Sequence, residues 1–238
     1  MRSKPPRKRH QQLPLDRARR PPKTHGGWRP GAGRKPKPGA VSHDPRPALA
    51  SRFPQHVTLR LAEGMPSIAR DWLMKIVREA IRKSHKGTFR IVEFNVLANH
   101  LHLITEAAGK RQLACGMQGL EVRLARSLNS ALKRTGKLFA HRYHVRCLQT
   151  PIEVRHALRY VLLNRKHHDA EKRFAKSWID PYSSAAWFTG WAEAIRTDTD
   201  WKRELVAMES PTARPTVWLL TTGWHRHHGR LRFDDRPS

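Results

Sequence analysis

From Phe53 to about His168 the apolar residues change their spacing several times, and the order of those changes restricts the fold more than any other feature of the chain. Val57, Leu59 and Leu61 alternate with polar neighbours, as a half-buried strand requires, because successive side chains of a strand point to opposite faces. Pro66 then opens a segment in which Ala69, Trp72, Leu73, Ile76, Val77, Ala80 and Ile81 recur at helical spacing, closed by Lys86-Gly87. Phe89 to Val96 is rich in β-branched and aromatic residues, and after Leu97-Ala98-Asn99 a second strand runs from His100 to about Glu106, so the pair predicts a hairpin. A long helix from about Gln112 to Arg134 sets Leu113, Met117, Leu120, Leu124, Leu128 and Ala131 on one face, with Gly136 placed as its stop. A fourth strand is expected between Leu138 and Leu148.

The last helix has the clearest start. Thr150-Pro151-Ile152-Glu153 combines a Thr cap, Pro at the first helical position and Glu three residues after the cap, an arrangement that satisfies orphan backbone donors reciprocally. This helix is expected to end near Arg165. The order β-α-β-β-α-β-α predicts an α+β fold, a four-stranded antiparallel sheet with helices packed on one face, close to the ferredoxin-like arrangement.

Charge narrows the partners. The 238 residues include 47 Lys and Arg against 19 Asp and Glu, a formal charge of +28 that opposes compaction unless a polyanion compensates it. Residues 1–50, rich in Pro, Gly, Arg and Lys and without apolar periodicity, are expected to be a disordered basic arm. Within it Gly31-Ala32-Gly33-Arg34-Lys35-Pro36 resembles the core of an AT-hook, and Arg34 and Lys35 are candidate DNA contacts, either in a minor groove or as a basic linker on any phosphate. No long apolar run suggests a membrane span and no apolar stretch follows MRSKPPRKRH as a secretory signal would, so a cytoplasmic protein is expected. Cys115 and Cys147 lack a CxxC partner and fall in periodic segments, which favours reduced, buried thiols.

The chain divides into the arm, a domain at 51–170 and an extension at 171–238 that holds Trp178, Trp187, Trp191, Trp201, Trp218 and Trp224, six of the eight tryptophans. Those rings are expected to dock through short helices onto the domain, with base stacking as the rival use.

Candidate chemistry lies in two short segments. In His100-Leu101-His102 the imidazoles share one face of a strand while Leu101 and Leu103 face the core, a geometry suited to chelation although an HxH triplet is unremarkable among 15 histidines. On the last helix Val154, Ala157, Leu158, Val161 and Leu162 form an apolar stripe, and His156, Tyr160 and Asn164 lie on a separate face with Tyr160 and Asn164 one turn apart. Of the chain's three tyrosines, Tyr143 is the second candidate nucleophile, and Tyr182 lies in a Pro-Ser-rich stretch where alignment for catalysis is not expected.

Asn99-His100-Leu101-His102-Leu103-Ile104, followed about sixty residues later by Leu158-Arg159-Tyr160-Val161-Leu162-Leu163-Asn164, resembles the HUH and catalytic-tyrosine motifs of the single-tyrosine transposases, in particular their REP-associated branch. The resemblance covers Phe53 to about His168. It implies an HUH endonuclease type of domain that cleaves and rejoins single-stranded or hairpin DNA. Tyr160 would attack a phosphate to leave a 5′-phosphotyrosyl enzyme and a free 3′-hydroxyl. His100 and His102 would hold a divalent metal, Mg²⁺ or Mn²⁺, with Asn164 as third ligand where many relatives carry Gln, and His156 as its substitute. Either a monomer or a homodimer is compatible with the family. Arg123, Arg126, Lys133 and Arg165 are further candidates for DNA phosphate contacts.

Two alternatives stand beside it. One is a non-catalytic protein that binds hairpin or single-stranded nucleic acid, to which the charge applies equally. The other is a small-molecule enzyme, since His100, His102 and Glu106 resemble half of a cupin motif, against which stand the absent flanking glycines and two long helices.

Overall fold

The alternation at 55–60 produces a central strand. In a computed structural model that describes residues 48–168 and 174–235, β1 (Gln55–Arg60) pairs antiparallel with β3 (His100–Ala107) on one side and β4 (His144–Cys147) on the other. β2 (Phe89–Val96) pairs with the outer edge of β3, which gives the order β2-β3-β1-β4 with every neighbour antiparallel. Helices α1 (Asp71–Arg82), α2 (Lys110–Ala131) and α3 (Pro151–His168) complete the expected β-α-β-β-α-β-α. The α+β sheet is therefore the one that the periodicity predicts, in ferredoxin-like order.

The helices do not share one face. Val57, Leu59, Leu101 and Leu103 pack with Leu73, Val77, Leu113, Met117 and Leu120 in a core beneath α1 and α2. Ile104 and Val92 pack with Val154, Leu158, Val161 and Leu162 of α3 in a second core on the opposite face. Period-2 alternation makes this division possible, because a strand that is apolar at odd positions leaves its even positions for another layer. The expected stripe on α3 is buried as a unit, each fully buried Leu or Val contributing about 1.5–3 kcal/mol.

Local signals settle most boundaries. The Thr150–Glu153 box forms as expected: Thr150 Oγ1 accepts from the Glu153 amide at 3.3 Å, and Glu153 Oε2 accepts from the Thr150 amide at 3.1 Å. α1 starts at Asp71 rather than Pro66, since Arg70 is still extended. α2 ends before Gly136: Lys133, at φ 50°, takes the left-handed position, with the Arg134 amide bonded to Asn129 O and the Lys133 amide to Ser130 O, a Schellman closure. Regular pairing in β4 is confined to His144–Cys147, preceded by an isolated Leu61–Phe139 bridge. The thiols are free, but neither is deeply buried, Cys115 being exposed on α2 and Cys147 partly covered.

The C-terminal extension shares the second core. Trp191, Trp224, Leu231 and Phe233 pack with α3, and helices α4 (Asp200–Ala207) and α5 (Trp218–Thr221) lie within the extension. The buried indoles are satisfied, Trp191 Nε1 donating to Ala185 O at 2.9 Å and Trp224 Nε1 to Leu220 O at 3.0 Å. Trp201 and Trp218 are exposed. Among the described residues no helix is long and apolar enough to cross a membrane. Residues 1–47 of the basic arm, including Gly31–Pro36 with Arg34 and Lys35, lie outside the described residues, whereas Leu49 packs against the core beneath α1 and α2.

Candidate active site

The second face of the sheet is polar where α3 crosses it. Register places His102 opposite Thr58 on β1 and opposite Asn95 on β2, while Thr58 faces His144 and His56 faces Arg146 on β4. His56, Thr58, Asn95, His100 and His102 thus occupy neighbouring positions of one face. α3 lays Tyr160 against them: the Tyr160 hydroxyl is 3.5 Å from His102 Nε2, and its ring meets His102 edge to face at 5.0 Å and His56 at 5.8 Å between centroids.

The ring nitrogens can be assigned from their partners. Asn99 Oδ1, which can only accept, lies 2.5 Å from His100 Nδ1, so that nitrogen carries the proton and Nε2 keeps its lone pair. His102 Nδ1 lies 3.2 Å from both Thr58 Oγ1 and His56 Nε2. Burial, reinforced by His144 and Arg146, pushes the His56 pKa down to about 4, so His56 is neutral at neutral pH and its Nε2 can accept from His102 Nδ1. His102 Nε2 is then left as the basic nitrogen on the Tyr160 side. The two rings of the His100–His102 pair stand 4.7 Å apart and nearly perpendicular.

Asn164 lies one turn beyond Tyr160. It is fully buried, and neither atom of its amide has a hydrogen-bond partner. An amide buried in that state costs about 1–3 kcal/mol per unmet group, which an additional ligand would recover. His156 is exposed on the other side of Tyr160, in a cavity of about 290 Å³ lined also by His56, Arg146 and Glu153. A cavity of about 380 Å³ adjoins His100, lined by Ser67, Asn99 and Arg165 among others.

The remaining expected residues are distributed differently. Tyr143 is buried in the core beneath α1 and α2, on the far face of the sheet from His102. Arg123, Arg126 and Lys133 belong to α2 or its end, on that same far face, Arg123 reaching Ser84 at 3.4 Å while Arg126 and Lys133 are exposed. Arg165 is near the site but already engaged: it pairs with Asp180 at 3.3 Å, donates to Val96 O at 3.4 Å and lies 4.5 Å above the Tyr182 ring. Glu106, the acid of the cupin alternative, accepts from the Thr216 amide at 2.8 Å and the Val217 amide at 3.0 Å, and the sheet with its helices excludes that all-β barrel.

His56, Thr58 and Asn95 were not legible from their motifs as neighbours of His102 on this face. The one signal available was parity, since His56 and Thr58 are the polar members of the β1 alternation and must face away from Val57 and Leu59.

By sequence, no family model matches the chain and no curated protein matches it significantly. Among solved structures, a REP-associated tyrosine transposase bound to a REP hairpin superposes with a TM-score of 0.52 at 17% identity, covering 74% of this chain and 99% of that one. The chain has the fold of a REP-associated tyrosine transposase. That transposase fold includes the four-stranded antiparallel sheet on which His100 and His102 stand here.

Proposed function

We propose that this protein cleaves and rejoins single-stranded or hairpin DNA through attack of the Tyr160 hydroxyl on a backbone phosphate. A divalent cation, Mg²⁺ or Mn²⁺, would be held by His100, His102 and Asn164. The observation that carries this reading is the 3.5 Å approach of Tyr160 Oη to His102 Nε2, within a fold shared with a tyrosine transposase solved on a hairpin.

The donor set fits such a cation. Both imidazoles have Nδ1 engaged, so Nε2 would be the coordinating atom of each, and Asn164 brings a buried amide oxygen with no hydrogen-bond partner. Among the described residues no group of three or more His, Cys, Asp or Glu could hold a metal, and the third donor in this reading is the Asn164 amide. When bound, the cation polarises the phosphate and offsets the charge that develops on it.

The chain's own residues supply the rest. A phenol with a pKa of about 10 is a weak nucleophile until it is aligned, and alignment comes from α3, anchored by its buried stripe. The Tyr160 Oη–P bond forms as the P–O3′ bond breaks; the phenol loses its proton and the departing 3′ oxygen takes one up. A 3′-hydroxyl that later attacks the phosphotyrosine reverses the exchange, so no external energy source is needed. Arg146 and His156, beside Tyr160, are positioned to meet the strand's phosphates.

Incubation of the full chain with a hairpin-bearing single-stranded oligonucleotide and Mn²⁺ tests this. Wild type is expected to give a covalent adduct that resists denaturing electrophoresis and Tyr160→Phe none. Equal behaviour of the two would exclude catalysis and leave a nucleic-acid-binding protein.

A further inference from the structure

On β2 the side-chain parity changes within the strand. Phe89 and Ile91 belong to the core beneath α1 and α2, yet so do Phe94 and Val96, because the pairing with β3 slips between Ile91 and Glu93. This bulge turns Glu93 and Asn95 toward α3, and sets Asn95 directly across from His102. Directly opposed residues of an antiparallel pair have side chains in contact range.

Asn95 is fully buried, and its two amide atoms are treated differently. Nδ2 donates to Asp180 Oδ2 at 3.0 Å, whereas Oδ1 has no hydrogen-bond partner. The carboxylate decides the amide's orientation, since a flip would set Oδ1 against an acceptor. Asp180, itself fully buried, is held by the Tyr182 amide at 2.9 Å and by Arg165. The segment that carries it adds backbone pairing to the open edge of β2, with the Val96 amide bonded to Tyr182 O and the Ser184 amide to Phe94 O, both at 2.9 Å.

We propose that Asn95 Oδ1 is a second amide donor to the cation of the His100–His102–Asn164 centre, and that Asp180 of the C-terminal extension is the positioning residue that aims it. This rests on the metal reading given above. Two buried amides with unmet oxygens, Asn95 across the strand pair from His102 and Asn164 one turn beyond Tyr160, have a common solution in one hard cation, for which amide oxygens are ordinary ligands. All four donors are neutral. Asp180, one hydrogen bond removed and itself paired with Arg165, orients a ligand as outer-sphere carboxylates do. The extension thereby becomes part of the metal centre.

Mn²⁺ affinity of the full chain, followed by electron paramagnetic resonance alongside the melting temperature, tests the proposal without reference to activity. Asn95→Ala and Asp180→Asn are each expected to weaken Mn²⁺ about 10–100-fold. The exchange variant Asn95→Asp with Asp180→Asn keeps a hydrogen bond and an oxygen at the metal, and is expected to recover affinity to within a few-fold of wild type. Unchanged affinity in Asn95→Ala, or no recovery in a folded exchange variant, overturns it. His102→Ala separates the two levels: loss of Mn²⁺ there with full binding in Asn95→Ala defeats only the present inference. Full binding in His102→Ala, or none in wild type, defeats the metal reading and this one together.

Discussion

The Tyr160 hydroxyl and His102 Nε2 come within 3.5 Å across the gap between α3 and the sheet, joining residues 58 positions apart in the chain. The contact joins an otherwise ordinary helical tyrosine to an otherwise ordinary HxH triplet. Tyr160→Phe leaves the ring packed and removes only the oxygen. It is expected to change stability by less than about 1 kcal/mol in urea unfolding while eliminating the DNA adduct. Tyr160→Ala, which also removes the packed ring, is expected to cost more than about 2 kcal/mol.

Thr58 and His56 act on the site through His102 Nδ1. Removing the acceptor in Thr58→Val keeps the shape of the strand residue but loosens the imidazole. Adduct formation at limiting Mn²⁺ is expected to slow about 10-fold or more, with recovery at higher Mn²⁺. An unchanged rate at every Mn²⁺ concentration would remove Thr58 from that role.

Glu93 gives the fold a pH dependence of defined sign. Burial raises its pKa from an ordinary 4.5 to about 8, against the opposing effect of the Ser184 hydroxyl, which donates to it at 2.5 Å. Below the unfolded value both states hold the proton and stability is complete. Between that value and about 8 the unfolded chain ionises first, so stability falls as pH rises, by about 3 kcal/mol near neutrality. Glu93→Gln is therefore expected to raise the melting temperature at pH values near 7 and to confer little at acid pH, as thermal melts across the range would show.

Glu106 fastens the extension at a second point. Its carboxylate accepts from the Thr216 amide, the Thr216 hydroxyl and the Val217 amide, the last being the cap of α5, and it pairs with Arg90 at 3.6 Å. Glu106→Ala leaves these donors unmet. A loss of about 2–3 kcal/mol is expected, with hydrogen exchange increasing around residues 216–225 and little change in β1 or β3.

Lys133 occupies a left-handed position that suits glycine, at φ 50°. Lys133→Gly is expected to stabilise the chain by about 0.5–1 kcal/mol in urea unfolding. Lys133 lies on the face away from Tyr160, so adduct formation on a short oligonucleotide is expected to be unaffected. A strong loss would bring α2 into the DNA path.

What could be read from the amino-acid order is what short-range physics controls. The Thr150–Glu153 box starts α3 because both partners lie within one turn, and the alternation of β1 and β3 assigns His100 and His102 to one face because strand geometry leaves no other choice. The order of elements follows from the same local periods. The fold subsequently placed each element by contacts distant in the chain. Gly136 looked like the stop of α2, but the Schellman bonds close around Lys133, directly after Ala131 and Leu132, which still pack against the core. The helices divide between two faces because Ile104 and Val92 present an apolar patch that α3 and the extension cover together. Asn95 faces His102 only because a bulge shifts one strand by a residue, and Asp180 reaches Asn95 only because the extension pairs with the edge of β2. Periodicity specifies which face a side chain takes, whereas register, bulges and edge pairing depend on how distant apolar surfaces meet, and these decided which polar residues surround Tyr160.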